Sequence, residues 1–384
     1  MTETLQKALS AIDTDSAVQL LQTLIRTRST NPPAEELSLA SWVHERLRHD
    51  GLTSELRPFD GKRANVIARI QGTGARPGLI FSAHFDTVPE GHIPWDYPPY
   101  GGDIHQGRIY GRGAADMKGG MAAMMIAAAA VAHAGVKLQG DLILAFTSGE
   151  TSNCVGAQRL ISEGALEGAG AFLVSEPTGL DVGTAEKAAL WLRVTARGRT
   201  SHGSQPQAGS NAVRTLACAL ARLENLHFNV AAHPLLGAPT LAIGKIHGGV
   251  NINVTPDLCI AELDVRILPD QNPDQVTSLI QDTLGAAIEI SRIDFKPAIE
   301  TPIDHPFVRS CVDARAHELG ASATPVGLSY FTDGAVICKA MNLPMVILGP
   351  GGTEMTHQHN EYCEIARLVL AARIFTRVAL ERLG

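Results

Sequence analysis

Two polar residues close the apolar run Gly78-Leu-Ile-Phe-Ser-Ala-His84: His84 itself and, two positions on, Asp86. In extended chain, residues i and i+2 point to the same side, so the imidazole and the carboxylate project together. A carboxylate beside a histidine is what a metal-bound imidazole requires, because it fixes the tautomer and raises the ligand's basicity. Alone, the pair also fits a strand-end histidine hydrogen-bonded to its neighbour. Its meaning depends on partners elsewhere. Glu150 follows the apolar run 141–147, Glu176 follows 171–175, and His357 follows 345–348 across a Gly-Pro-Gly-Gly loop; Asp116 stands just before an apolar helical stretch. His, Asp and Glu are the donors expected of zinc in hydrolytic centres. A carboxylate such as Asp116 can also bridge two ions, which in such centres sit roughly 3.5–4 Å apart. A dinucleotide fingerprint at Gly111-Arg-Gly is excluded, since no strand leads into it and Asp116 occupies the third glycine position.

These positions need a scaffold that brings strand ends to one edge. Apolar spacing near 3.6 predicts helices over 16–28, 36–49, 118–134 and 153–163, and short apolar runs predict strands at 65–70, 78–83, 141–147 and 171–175. Strands alternating with helices imply an α/β fold, a mostly parallel sheet flanked by helices, which binds ligands beyond the carboxyl ends of its strands. The segment 89–113 reads as a long functional loop. Near residue 186 the pattern changes. A half-exposed strand at 189–196, a helix at 211–223, strands at 240–247 and 258–267, a helix at 273–287 and a strand at 288–295 suit an inserted α+β sandwich. After Pro302 come a helix at 305–319, a strand at 345–348 and a closing helix at 361–382. The expected division is therefore 1–185 and 298–384 for the larger domain, with 186–297 inserted.

Bulk properties narrow the class. The 384 residues suffice for two domains, nearly half are apolar, and the net charge of −7 argues against nucleic acid or an anionic membrane as the main partner. Six scattered cysteines without a CxxC pair read as buried free thiols in a reducing compartment. The N-terminus carries no secretory pattern and the apolar segment 119–135 is short for a membrane span, so a cytoplasmic location is expected.

Taken together, Ser82-Ala-His84-Phe-Asp86-Thr-Val-Pro89, Gly111-Arg-Gly-Ala-Ala-Asp116-Met-Lys-Gly-Gly120, Thr147-Ser-Gly-Glu150, Ser175-Glu176-Pro-Thr178 and His357-Gln-His-Asn-Glu361 resemble the M20 metallohydrolases, the acetylornithine deacetylase and succinyl-diaminopimelate desuccinylase group. The matches run in order along almost the whole chain. The resemblance implies a catalytic domain with an inserted lid or dimerisation domain, and a homodimer formed through the latter. It implies that His84, Asp116 and Glu176 hold one zinc, that Asp116 bridges, and that His357 with Asp116 holds a second; Co2+ is expected to substitute. His357 rather than His359 fits the family's His-x-x-Asn/Asp-Glu pattern. Asp86 would orient His84, and Glu150 would be the general base that takes a proton from the attacking water and passes it to the leaving amine.

One position departs from the pattern. The family has two successive glutamates, the second a ligand of the second metal, whereas here Thr151 follows Glu150. A neutral hydroxyl is a much poorer zinc ligand than a carboxylate, so the second ion is expected to be weakly held. In the inserted domain, Gly198-Arg-Thr-Ser-His202 resembles the lid segment whose histidine stabilises an oxyanion in a neighbouring active site. Asn251-Ile-Asn253-Val-Thr-Pro256 and Asp264-Val-Arg266 resemble the segment that binds a substrate carboxylate, a task that suits the arginine fork. The expected activity is hydrolysis of the amide bond of an N-acyl amino acid. A carboxypeptidase or dipeptidase is the near alternative, and a catalytically silent protein that binds amino-acid derivatives is the distant one.

Overall fold

Continuous apolar runs become fully buried strands when helices cover both faces of a sheet. Gly78–His84 and Leu142–Thr147 are such strands, buried along their whole length, and Ala169–Val174 is buried over its last four residues. The computed structural model describes residues 3–384. Its chain divides into two compact units. One comprises the residues up to Ala185 together with Glu300–Gly327 and Thr332–Gly384; the other is Glu186–Ile299 with Leu328–Phe331.

The first unit is built on a nine-stranded sheet. Along the sheet, Thr53–Phe59 and Arg63–Ile70 are followed by Leu142–Thr147, Gly78–His84, Ala169–Val174 and Met345–Ile347, with short strands completing the far edge. Its centre is parallel: Gly78–His84 pairs in parallel with both Leu142–Thr147 and Ala169–Val174, and Met345–Ile347 continues the parallel run. The register sets His84 opposite Thr147 and Ser82 opposite Val174. The loops bearing Asp86, Glu150 and Glu176 therefore leave the sheet side by side.

Helices Gly119–Ala134 and Ile365–Leu383 lie against this sheet. Phe81 and Phe375 meet with ring centroids 5.6 Å apart, and both are fully buried; truncating either to alanine would cost about 3–5 kcal/mol. The apolar segment Ala114–Ala134, long and apolar enough to cross a bilayer, is mostly buried in the protein.

Two stretches differ from the sequence reading. The expected loop 89–113 contains the strands Asp103–His105 and Arg108–Tyr110, and the closing helix starts at Ile365 because Tyr362–Glu364 pairs with Arg108–Tyr110. Stacked Tyr97 and Tyr110, with Tyr362 beside them, supply the apolar contact that makes this small sheet worth forming. The strand Thr53–Phe59 and the helix Gly334–Met341 also lie outside the elements read from the sequence.

The second unit is a four-stranded antiparallel sheet in the order Thr240–Gly248, Leu258–Ile267, Ala188–Arg197, Ile288–Lys296. Ala188–Arg197 and Leu258–Ile267 alternate buried with less buried residues, the period of a sheet covered on one face. Leu190, Leu192, Val194, Leu263 and Val265 form its core with Leu216 and Ile280 from the helices Ala212–Leu220 and Pro273–Leu284. Each helix starts on an asparagine cap, Asn211 and Asn272, whose side chain accepts from the first-turn amides. All six cysteines lie among the described residues as thiols outside any disulfide, and every one except Cys218 is buried.

Candidate metal centre

The centre is assembled at the carboxyl ends of the parallel strands. His84 ends its strand, and its Nδ1 lies 2.9 Å from the main-chain carbonyl oxygen of Asp86. A carbonyl only accepts, so Nδ1 carries a proton, which leaves Nε2 as the nitrogen that can offer a lone pair to a cation once it is deprotonated. That Nε2 stands 3.1 Å from Asp116 Oδ1 and 3.7 Å from Glu176 Oε1. Donor atoms of His84, Asp116 and Glu176 all lie within 4.8 Å of one another.

Asp116 is presented by a break in the chain. Gly113 adopts the left-handed conformation, and Asp116 (φ −123°, ψ 96°) stays extended just before the helix begins. Its second oxygen, Oδ2, lies 3.3 Å from His357 Nε2. One carboxylate thus faces two imidazoles with different oxygens, the arrangement of a bridging ligand. The Gly-Pro-Gly-Gly loop brings His357 there by close backbone approach: a Cβ at Gly351 would fall 2.3 Å from the Ala115 carbonyl oxygen.

Asp86 meets His84 chiefly through its main chain. Its carboxylate does not grip His84: Oδ1 is 3.8 Å from Nδ1, while the main-chain carbonyl makes the short contact. The carboxylate instead collects the turn after the neighbouring strand. Oδ1 accepts from the amides of Gly149 (2.9 Å) and Glu150 (3.0 Å), and Oδ2 accepts from the Thr151 amide (2.9 Å) and hydroxyl (2.6 Å). Gly149 has φ +74°, which permits the turn that wraps the carboxylate. The Thr151 hydroxyl is therefore committed to Asp86, with the Asn31 amide 3.1 Å away.

Burial and charge shape the acidities. Burial pushes Glu150 up to about 8; His84 opposes this, while Asp333, Asp86 and Asp116 reinforce it. Burial raises Glu176 too, against His84 and with Asp116, Glu150 and Asp333. Burial also works to raise Asp116, but the hydrogen bonds from His357 and His84 outweigh it and hold the group well below the usual carboxylate range. Burial would lower His84, yet Glu176, Asp116 and Asp86 raise it well above an ordinary histidine. Carboxylates gathered around one imidazole, several of them held partly against ionisation, are the chemistry of a cation site. The donor set fits a divalent metal once the His84 imidazole gives up its Nε2 proton: one nitrogen and two carboxylates on the buried side, and the Asp116–His357 pair on the other.

Three groups beyond the sequence reading belong to this region. Asp333 is buried beneath it and accepts from the Thr147 hydroxyl. Asn31 joins Asp86, Thr151 and Ser152 through its side chain. Glu361 accepts from the loop that carries Asp116. Glu361 stood inside a quoted motif and Asn31 in a helix-breaking Ser-Thr-Asn-Pro-Pro run, but neither spacing specifies a partner 120 or 245 residues away. His359 is exposed and outside the cluster.

His202, Asn253 and Arg266 lie in the second unit. The His202 Nδ1 accepts from the Ser204 amide at 3.2 Å and meets its hydroxyl at 2.7 Å. Asn253 is exposed and its carbonyl accepts from Gly203 at 2.7 Å. Arg266 is paired with Asp264 at 2.8 Å, and its buried Nη1 has no hydrogen-bond partner among the described residues.

Known proteins supply the comparison. The sequence profile of peptidase family M20/M25/M40 matches residues 80–381. A probable succinyl-diaminopimelate desuccinylase of Staphylococcus aureus (strain Mu50) is 27% identical over 403 residues, covering 94% of this chain and 98% of its own. Among solved structures, an M20 family metallo-carboxypeptidase from Sulfolobus solfataricus superposes with a TM-score of 0.81 at 20% identity, covering 95% of this chain and 98% of its own. A dinuclear metal-binding peptidase of the M20 family from Bacillus subtilis does so with a TM-score of 0.72 at 17% identity, covering 96% and 98%.

Proposed function

The chain belongs to peptidase family M20/M25/M40, and on that premise we propose that it hydrolyses the amide bond of an N-acyl amino acid, with His84, Asp116 and Glu176 holding the metal ion that matters most. The observation that carries this reading is the buried His84–Asp116–Glu176 cluster, extended to His357 through the second oxygen of Asp116. Zinc suits these donors, with Co2+ as a substitute. When bound, such an ion polarises the scissile carbonyl and lowers the pKa of water.

The chain's own groups do the rest. Glu150, held by the Asp86-anchored turn, takes a proton from the attacking water and delivers it to the leaving amine nitrogen. Burial, which pushes its pKa up to about 8, makes Glu150 hold a proton more readily than an ordinary glutamate, which suits a group that must accept one and then deliver it. In the second unit, the Ser204 amide donates to His202 Nδ1, which leaves the hydrogen on Nε2, a donor suited to a developing oxyanion. Arg266, whose Nη1 has no hydrogen-bond partner among the described residues, is assigned to the substrate carboxylate and Asn253 to the same task. We assign His202 to the active site of a second copy in a homodimer formed through the second unit, the proposed lid. Ile243 and Ile246, each about half exposed on the edge strand Thr240–Gly248, support that assembly. Six thiols outside any disulfide support a reducing, cytoplasmic setting.

The desuccinylase name of the sequence relative favours N-acyl amino acids over peptides as substrates. A hydrolysis screen decides, with N-acetyl and N-succinyl amino acids set against dipeptides and with metal content measured on the same protein. Turnover of N-acyl amino acids is expected; turnover confined to dipeptides would make the protein a peptidase. No bound metal and no turnover with added Zn2+ or Co2+ would sink the enzyme reading. Glu150→Ala should lower kcat by about 10²–10⁴-fold while metal binding survives.

A further inference from the structure

The segment that carries His357 ends four residues later on Glu361, which is 1% exposed yet ionisable. Its carboxylate is fully engaged. Oε2 accepts from Arg112 Nη1 at 2.5 Å and from the Gly113 amide at 3.1 Å, and Oε1 accepts from the amides of Ala115 (2.8 Å) and Asp116 (3.0 Å). The main-chain carbonyl of Glu361 accepts from Gly111 at 2.8 Å. Every bond runs to the loop that presents Asp116. Arg112 closes the circuit, its Nη2 reaching the His357 carbonyl at 3.4 Å. A second tie lies beside it, where Asn360 and Asp96 exchange hydrogen bonds of 2.9 and 2.8 Å.

A buried carboxylate is costly unless its lone pairs are met, and this one is met almost entirely by donors of a single loop. The loop has no regular structure of its own at Asp116, whose extended backbone interrupts the approach to the helix. Sheet pairing cannot fix the Asp116 carboxylate, and His357 also stands on a loop, with φ +62°. We propose that Glu361, with Arg112, is the positioning residue of the metal centre: it clasps the two ligand-bearing loops together so that Asp116 can face His84 with one oxygen and His357 with the other. The inference rests on the reading of the cluster as a metal centre.

Glu361→Gln keeps the shape but turns one acceptor into a donor facing N–H groups. Zn2+ and Co2+ affinities of the unmodified protein and of the variant are to be measured by chelator competition, with the Co2+ absorption spectrum and the thermal midpoint recorded alongside. The variant is expected to fold, to bind metal 10–100-fold more weakly, to show an altered Co2+ spectrum, and to lose kcat with little change in KM. Unmodified affinity and spectrum in folded Glu361→Gln would overturn the proposal. Should that variant fail to fold, Arg112→Lys carries the same test, since lysine keeps the charge but cannot serve Glu361 and the His357 carbonyl together. A tenfold or greater loss of affinity supports the clasp, and unmodified affinity overturns it. If the unmodified protein takes up neither metal, the metal-centre reading itself fails and the clasp falls with it.

Discussion

Asp116 divides the centre into two unlike halves. On one side stand His84 and Glu176, each about 6% exposed in the side chain and each at or just past the end of a central parallel strand. On the other stands His357, 54% exposed, on a loop. The position where the family expects a second carboxylate holds Thr151, whose hydroxyl is spent on Asp86. In the first half, the sheet register sets the geometry and the Asp86 carbonyl chooses the tautomer. In the second half, a clasp of side-chain hydrogen bonds must do what strands do elsewhere. A rigid scaffold can hold an ion with three donors, whereas two donors on loops hold one poorly, so the halves should differ in affinity and in what their loss costs.

The largest effect is expected from His84→Ala, which should abolish tight metal binding and turnover together; a variant that keeps one tightly bound equivalent by metal analysis would show that the buried half is not the principal site. His357→Ala should be milder. It is expected to retain the first equivalent, to lose whatever second ion is bound, and to lower kcat by roughly 10–100-fold; equal damage from both histidines would erase the contrast.

Thr151→Glu tests the departure itself. It supplies the missing carboxylate and should raise occupancy of the second site towards one equivalent. It also removes the hydroxyl bond to the Asp86 carboxylate, at a cost of about 1.5–3 kcal/mol that a denaturation curve would register. Unchanged stoichiometry would count against the view that Thr151 limits the second ion.

The smallest effect is a pH dependence. In the ion-free protein the pKa values of His84 and Glu176 are both raised, so protons must leave before metal enters, and affinity should rise with pH until both are deprotonated. Calorimetry in buffers of different ionisation heat should find roughly one to two protons released per ion near neutral pH; no release would mean that both groups are already deprotonated.

Asp86 marks the limit of what spacing alone specifies. The i, i+2 spacing correctly sends its carboxylate to the same region as His84, but spacing does not say which oxygen reaches the imidazole. The main-chain carbonyl took that role because the carboxylate was claimed by three amides and a hydroxyl from the adjacent turn. The pairing of Tyr362–Glu364 with Arg108–Tyr110 was equally out of reach, since strands so short carry no periodicity and owe their existence to a partner distant in sequence.

The sequence alone determined the chemistry-bearing residue types, the parallel sheet and the insertion, because each follows from local period, apolar pattern or motif. Thr151 was legible as a departure, but its consequence was not. Only the tertiary structure decided that its hydroxyl serves Asp86, that Asp116 faces two histidines with different oxygens, and that Glu361 holds their loops together. Those outcomes depend on which donor lies within 3 Å of which acceptor, and in a folded chain that is settled by packing between segments far apart in sequence.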